Sequence, residues 1–151
     1  MDRGELTIIT NMCMIYDGDR ILVQERQGSN WPGITFPGGH VKPNESFVDS
    51  VIREVYEETG LKISNLKLCG TTQWTQVEGK YRYIVLLYKT NTFSGELKPS
   101  TEGKVFWINR KDLDKFELSK GFESMLEIFE KDDLSENYCW YENNEWHCQN
   151  K

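Results

Sequence analysis

Three glutamates near the middle of the chain have the side-chain type and the spacing of a metal site. Glu54, Glu57 and Glu58 stand at i, i+3 and i+4, so on a helix they share one side, which we call the acidic face. Carboxylate oxygens are hard ligands that suit Mg²⁺ or Mn²⁺, and Mg²⁺ is often held jointly by carboxylates, water and substrate phosphates. The acidic face therefore predicts a divalent-metal site that acts on a phosphate compound.

The same three acids would weaken an isolated helix. Glu54 and Glu58 are like charges four residues apart, and Glu57 and Glu58 lie near the negative end of the helix dipole. A bound cation would offset this repulsion. The alternative is a solvated acidic surface on which Arg53 pairs with Glu57 at i+4.

A helix predicted over residues 46–59 must position the acidic face. Ser46 suits its N-cap with Asp49 three residues later, and Gly60 suits the position just past its C-terminus. Apolar spacing predicts a core face made of Val48, Val51, Ile52, Val55 and Thr59. The helix is thus expected to be buried on one side and acidic on another.

Two glycines precede this helix, Gly38 and Gly39, where bare backbone can approach a ligand or a metal. Together with the helix they resemble the Nudix box, G-x5-E-x7-R-E-U-x-E-E-x-G-U, in which U is a bulky aliphatic residue. Its fixed positions are matched here by Gly39, Glu45, Arg53, Glu54, Val55, Glu57, Glu58, Gly60 and Leu61. Many members have glycine before the first glutamate. Asn44 stands there in this chain and tolerates the same left-handed turn.

This resemblance to the Nudix hydrolases implies a fold and a metal. The implied fold class is α/β (α+β), a mixed β-sheet sandwiched between helices, with the box forming a loop, a helix and a loop. Glu57 and Glu58 would bind Mg²⁺, helped by the Gly38 carbonyl, and Mn²⁺ is a possible substitute. Glu54 would be a further ligand or the base that deprotonates water.

Three other residues of the box have supporting roles by the same resemblance. Arg53 would orient the Glu54 carboxylate. Glu45 would support the geometry of the loop by contacting Arg53, and Gly60 would support the end of the box. The implied reaction is attack of water on phosphorus, with metal neutralising the charge that develops on oxygen.

A wider resemblance, to MutT-type and MutX-type 8-oxo-dGTP diphosphatases, covers about residues 5–130. It rests on the stretches LTIITNMCMIYDGDRILVQER, WPGITFPGGHV, RYIVLLYKTNTFSGEL and EGKVFWI. By position, Glu102 resembles a loop metal ligand and Arg26 an arginine that touches substrate phosphates. Each has a simpler interpretation, a surface acid for Glu102 and a charge at a strand end for Arg26.

Base recognition is predicted from the same resemblance. Trp74 resembles an aromatic residue of the purine pocket, since a flat indole can stack on a base; an ordinary core tryptophan is the alternative. Thr10 stands where a first-strand residue faces the base, and Ser119 is a further pocket candidate before the last helix. Gly39 is expected to let backbone approach the substrate.

The remaining elements are predicted from pattern. Strands are expected over residues 6–16, 21–26, 34–36, 66–76, 81–90 and 104–108, the first two as a hairpin and the fourth and fifth joined by a turn near Glu78 and Gly79. A second helix is expected from the spacing of Phe122, Met125, Leu126 and Phe129. Residues 138–148 are expected to form a C-terminal hairpin around Asn143 and Asn144.

Bulk properties bound the remaining possibilities. The 151 residues suit one domain, 1–151, and the net charge of −6 disfavours binding a long nucleic acid but not a nucleotide. There is no membrane-spanning or signal-peptide pattern, so a cytoplasmic protein is expected. Cys139 and Cys148 lack the paired spacing of a zinc site and are expected to be reduced thiols, while Cys13 and Cys69 are expected to be buried in strands.

The sequence thus predicts a nucleoside triphosphate pyrophosphohydrolase that removes oxidised purine nucleotides and so supports DNA repair. It would act on a small nucleotide, as a monomer or a homodimer. Alternatives are a Nudix hydrolase for ADP-ribose, a dinucleoside polyphosphate or a capped RNA, a catalytically silent nucleotide sensor, and an acidic adaptor protein.

Overall fold

The computed structural model describes residues 3–28, 31–76, 78, 80–98 and 100–151. In these residues the strands are β1 (Thr7–Asp17), β2 (Arg20–Arg26), β3 (Gly33–Thr35), β4 (Lys62–Ser64), β5 (Lys67–Thr75), β6 (Arg82–Thr90), β7 (Thr92–Ser94), β8 (Gly103–Asn109), β9 (Glu136–Glu142) and β10 (Glu145–Asn150). The helices are α1 (Phe47–Thr59), a 3-10 helix (Arg110–Lys115) and α2 (Phe122–Glu130).

Eight strands of the described ranges form one mixed sheet in the order β10-β9-β5-β6-β1-β2-β3, and β8 also pairs with β2. The long central strands β1 and β6 run parallel, from Thr7 opposite Arg82 to Ile15 opposite Thr90. β9 runs parallel to β5, and the other neighbours are antiparallel. β4 and β7 pair separately. These two short strands and the 3-10 helix were not predicted.

The sheet separates two apolar cores, one under each helix. Cys13 and Ile15 of β1 share a core with Val51 and Val55 of α1. Met14, on the other face of the same strand, belongs to the core that contains the apolar residues of α2. The predicted mixed sheet between helices is therefore confirmed, and so is the second helix.

The predicted core face of α1 is wrong at one residue, Val48. Val48 is 42% exposed, whereas Val51, Val55 and Thr59 are fully buried. Buried positions on α1 begin at Ser50. Periodicity therefore assigns Val48 to the correct side of the helix, but the first turn projects beyond the part that packs on the sheet.

The predicted C-terminal hairpin is confirmed, with β9 and β10 joined at Asn143 and Asn144, which both have positive φ. The prediction of reduced thiols is wrong for two cysteines, because Cys139 and Cys148 form a disulfide. The antiparallel register places them directly opposite each other, with Cα atoms 4.1 Å apart, and spacing along the chain does not specify that register.

The other two cysteines are free thiols. Cys13 is fully buried as predicted, and burial raises the pKa of its thiol above the usual range. Cys69 is only half-buried. The predicted turn near Glu78 and Gly79 includes Gly79, which lies outside the described residues. No helix among the described residues is long and apolar enough to cross a membrane.

Candidate active site

Helix α1 begins and ends where its capping residues predict. The Ser46 hydroxyl accepts a hydrogen bond of 3.0 Å from the Asp49 backbone N–H. Gly60 has φ 81° and donates its N–H to the Tyr56 carbonyl at 2.9 Å. Asn44 adopts the expected left-handed conformation, with φ 64°. These local contacts fix where α1 begins and ends.

The three acids of the acidic face have different surroundings. Glu58 is 5% exposed, and its carboxylate accepts a hydrogen bond of 2.9 Å from the Gly38 N–H. The Glu54 carboxylate lies so close to Gly39 that a Cβ on this glycine would collide with it. The Glu57 side chain is 54% exposed. Two acids thus point toward the loop before the helix, and the third points toward solvent.

Arg53 ties this loop to the helix. Its guanidinium donates to both carboxylate oxygens of Glu45, at 2.7 and 2.9 Å, and to the Glu54 carboxylate at 2.8 Å. It also reaches the His40 carbonyl at 3.0 Å and Glu57 at 3.2 Å. The hydrogen bonds from Arg53 lower the pKa of Glu45 to about 2. The sequence-based alternative, an Arg53–Glu57 surface pair, is therefore present but is the longest of these contacts.

Glu58 has the most perturbed carboxyl group of the site. Burial, together with the negative charges of Glu54 and Glu102, raises its pKa to about 7, while the Gly38 N–H and the charge of Arg26 act in the opposite direction. Arg26 ends β2 and pairs in register with Gly103, the residue after Glu102. The fold thus brings two predicted residues from distant parts of the sequence within electrostatic range of Glu58.

Gly38 and Gly39, which we call the double glycine, run alongside β1. The Pro37 carbonyl accepts from Cys13 N–H at 2.9 Å, and the Gly39 carbonyl accepts from Asn11 N–H at 2.8 Å. Backbone groups alternate in direction along an extended strand, so the N–H of Gly38 points away from β1 and binds Glu58. A Cβ on Gly38 would collide with the Asn11 carbonyl, so only glycine fits there.

The donor set fits a magnesium ion held partly by its substrate. Among the described residues, no three His, Cys, Asp or Glu side chains converge closely enough to hold a metal ion unaided. Mg²⁺ usually binds one or two carboxylates and completes its shell with water and phosphate oxygens. Glu58 and Glu54, both beside the double glycine, provide such a partial set of hard oxygen ligands.

A cavity of about 440 Å³, which we call the central cavity, borders the double glycine. All five residues predicted to bind substrate line it: Thr10, Arg26, Gly39, Trp74 and Ser119. Gly38 lines it as well, although its N–H is bound to Glu58. The double glycine therefore contacts both the acidic face and the central cavity.

Aromatic side chains form much of the cavity wall. Trp74 stacks on Tyr83, with ring centroids 4.7 Å apart and an angle of 13° between the planes. The rings of Trp31 and Trp146 lie 6.2 and 6.4 Å from Trp74. One face of the predicted base-stacking indole is thus already covered by Tyr83.

Several lining residues were not predicted from the sequence. Among them are Asn11, Gln24, Tyr83, Asn137 and Trp146. The sequence carried a signal for two of them. Asn11 and Gln24 are polar residues within otherwise apolar stretches of strand, which is unusual for residues that only pack in a core. Asn11 is 3% exposed and links the loop to helix α1. Its side-chain oxygen accepts a hydrogen bond from the Gly39 N–H, and its side-chain nitrogen donates one to the Ser50 hydroxyl.

Comparison with known proteins agrees with this geometry. A profile of the NUDIX domain matches residues 7–131. The uncharacterized Nudix hydrolase YvcI of Bacillus subtilis is 28% identical over 127 residues, covering 82% of this chain and 78% of that protein. The putative 8-oxo-dGTP diphosphatase YtkD of the same species is 43% identical over 53 residues, 35% of this chain and 32% of that protein.

A solved structure shows the same fold over nearly the whole chain. The MutT protein of Bacillus halodurans superposes with a TM-score of 0.78 at 22% identity, covering 94% of this chain and 97% of that one. The NUDIX profile spans most of the sequence, and the residues of the box form one connected site in the structure. The chain therefore belongs to the Nudix family, whose hydrolases cleave diphosphate linkages and generally use divalent cations such as Mg²⁺.

Proposed function

We propose that this protein is a metal-dependent nucleoside triphosphate pyrophosphohydrolase that converts 8-oxo-dGTP to 8-oxo-dGMP and pyrophosphate. The double glycine carries this proposal. It contacts the carboxylates of Glu54 and Glu58 and also lines a cavity with room for a base. A nucleotide lying across it would place its phosphates beside the acids and its base among the tryptophans.

The phosphate end of the site is assigned to the acidic face and its neighbours. Glu54, Glu57, Glu58 and the Gly38 carbonyl would hold Mg²⁺, with Glu102 as a further ligand from the loop before β8. The cation would neutralise charge on the phosphate oxygens. Mn²⁺ has the same preference for oxygen ligands and is a candidate substitute.

The chain's own residues would then move the proton and orient the phosphates. Glu54 would take a proton from water as the water oxygen attacks phosphorus and the bond to the bridging oxygen breaks. Arg53 holds the Glu54 carboxylate at 2.8 Å and so fixes its direction. Arg26, at the cavity wall and within electrostatic range of Glu58, would contact the phosphates. Glu45 and Gly60 would act only by supporting the loop and the helix end.

The base end is assigned to the central cavity. Thr10 is 5% exposed there, and Trp74 contributes an aromatic wall. Ser119 is held near the cavity by its N–H, which donates to the Ile34 carbonyl at 3.0 Å. Since 8-oxo-dGTP and dGTP carry the same phosphates, discrimination must arise at the base, where N7–H and O8 distinguish the oxidised form.

One kinetic comparison tests the proposal. We expect kcat/KM to be higher for 8-oxo-dGTP than for dGTP, ADP-ribose or diadenosine polyphosphates under identical conditions with Mg²⁺. Chromatography of the products should show 8-oxo-dGMP and pyrophosphate. A preference of about tenfold or more for ADP-ribose or a dinucleoside polyphosphate would refute the substrate assignment and leave the family's hydrolase activity in place.

The same screen tests the remaining alternatives. Release of no product from any diphosphate substrate, combined with nucleotide binding, would indicate a sensing module. A cytoplasmic location and a monomer or homodimer are further parts of the proposal. Cell fractionation and light scattering measure them directly.

A further inference from the structure

Two buried side-chain polar atoms in the described part of the chain have no hydrogen-bond partner. They are Nε2 of Gln24 and Nε1 of Trp74. A buried donor left unpaired costs about 1–3 kcal/mol, and such atoms are rare in folded proteins. Both side chains line the central cavity, and a shift that opens either nitrogen to the cavity would let a ligand placed there supply the missing acceptor.

Gln24 stands at a position where packing alone would favour an apolar side chain. It is 2% exposed, and the residues before it on β2, Leu22 and Val23, are fully buried and apolar. An unbranched residue such as methionine would fill similar space without leaving an unpaired amide. The amide is therefore better explained by a partner that binds in the cavity than by packing.

Trp74 lines the central cavity, and its indole N–H has no partner. Its ring plane is stacked on Tyr83, which leaves less of its surface for a base. The indole N–H is a donor only and has no acceptor capacity. A ligand that satisfies it must therefore carry an acceptor at that point.

We propose that Gln24 and Trp74 donate hydrogen bonds to acceptor atoms of the substrate base, and so select an oxopurine over an aminopurine. The carbonyl at position 6 of a guanine-type base accepts hydrogen bonds. The Trp74 N–H can only donate, so the amino group at the same position of adenine would set donor against donor there and leave buried groups unpaired. This inference rests on the proposed function for the presence of a nucleotide, but it does not depend on cleavage.

Equilibrium binding of two monophosphates tests the selection without requiring turnover. Isothermal titration of the wild-type protein with dGMP and with dAMP should show a preference for dGMP of about tenfold or more. Gln24→Met should reduce that preference by about tenfold, mainly through weaker binding of dGMP. Trp74→Phe, which removes the N–H and keeps an aromatic ring, should act in the same direction.

The thermal stability of the ligand-free protein separates a recognition role from a structural one. Because Gln24→Met removes an unpaired buried amide, its melting temperature should equal or exceed that of the wild type. Gln149→Met, a change of the same chemistry at an exposed position outside the cavity, should leave both stability and base preference unchanged.

Three results would overturn the inference: no preference for dGMP in the wild type, equal weakening of both nucleotides in Gln24→Met, or a lower melting temperature in this variant with its preference unchanged. The proposed function fails separately. A protein that binds dGMP in a Gln24-dependent way but cleaves no triphosphate would retain the base selection and lose the pyrophosphohydrolase assignment.

Discussion

The acidic face and the central cavity meet at the double glycine, yet they are built differently. Arg53 and its three acidic partners come from residues 45–57, and each of the three carboxylates is bonded to the Arg53 guanidinium. The cavity draws on β1, β2, β5, β6, α2 and the C-terminal hairpin, and it contains two unpaired donors. We infer that one side is organised before substrate arrives, and we propose that substrate completes the other.

This difference has a physical basis. A reaction that develops charge on oxygen is accelerated most by groups already in place, because they need not reorganise during the reaction. Recognition of a base instead gains from groups that only the correct ligand can satisfy. We therefore expect changes on the acidic face to lower kcat, and changes in the cavity wall to raise KM or alter base preference.

The largest effect is expected from Glu57→Gln, which should abolish measurable turnover because it removes a proposed metal ligand. The Glu57 side chain is 54% exposed, so the fold should persist. Steady-state assays with a Mg²⁺ titration, beside thermal melts, measure both effects. Glu123→Gln, an exposed acid on α2, is the control and should retain full activity. Near-normal turnover by Glu57→Gln would remove Glu57 from the metal site.

Glu54→Gln should lower kcat by about 10²–10⁴-fold, the range for loss of a general base. KM should change little, since Glu54 lies beside the double glycine on the side of the acids. The metal concentration for half-maximal activity should rise less than in Glu57→Gln. A variant with normal kcat at saturating metal and a greatly raised metal requirement would make Glu54 a ligand only.

Reducing the Cys139–Cys148 disulfide tests whether the C-terminal hairpin affects substrate binding in the central cavity but not the chemical step. Both cysteines line the cavity, and the bond spans only nine residues, so its loss should cost about 2 kcal/mol of unfolding free energy. Denaturant titrations with and without a dithiol reductant measure this loss of stability. The control is Cys148→Ser, which has no disulfide at this site and should give the same result with and without reductant. We expect KM to rise and kcat to stay within about twofold. A fall in kcat at constant KM would contradict the separation of the two regions.

The smallest effect is expected from Trp74→Ala. Loss of the indole should raise KM for a purine substrate by about tenfold, the equivalent of 1.4 kcal/mol of binding, and should lower kcat less. Michaelis–Menten kinetics with a purine and a pyrimidine triphosphate provide the test. If kcat fell more than KM rose, Trp74 would act on the chemical step rather than on base binding.

The sequence by itself determined helix α1, its caps and the acidic face, because those features depend on neighbours within one or two turns. Ser46, Asn44 and Gly60 have the predicted backbone roles, and the mixed sheet implied by the family resemblance is present. Every residue predicted to bind substrate lies at the central cavity. The family resemblance could indicate these residues, but it could not show the shape of the cavity.

Only the tertiary structure decided how deeply each residue is buried and what lies opposite it. Spacing places Glu57 and Glu58 on the same face, but packing against the double glycine buries Glu58 and leaves Glu57 in solvent. Strand register joins Cys139 to Cys148. In the sequence, Gln24 is only a polar residue after an apolar run. The folded structure shows that it is buried and lines the central cavity. Burial and register arise from contacts between distant segments, which local periodicity does not encode.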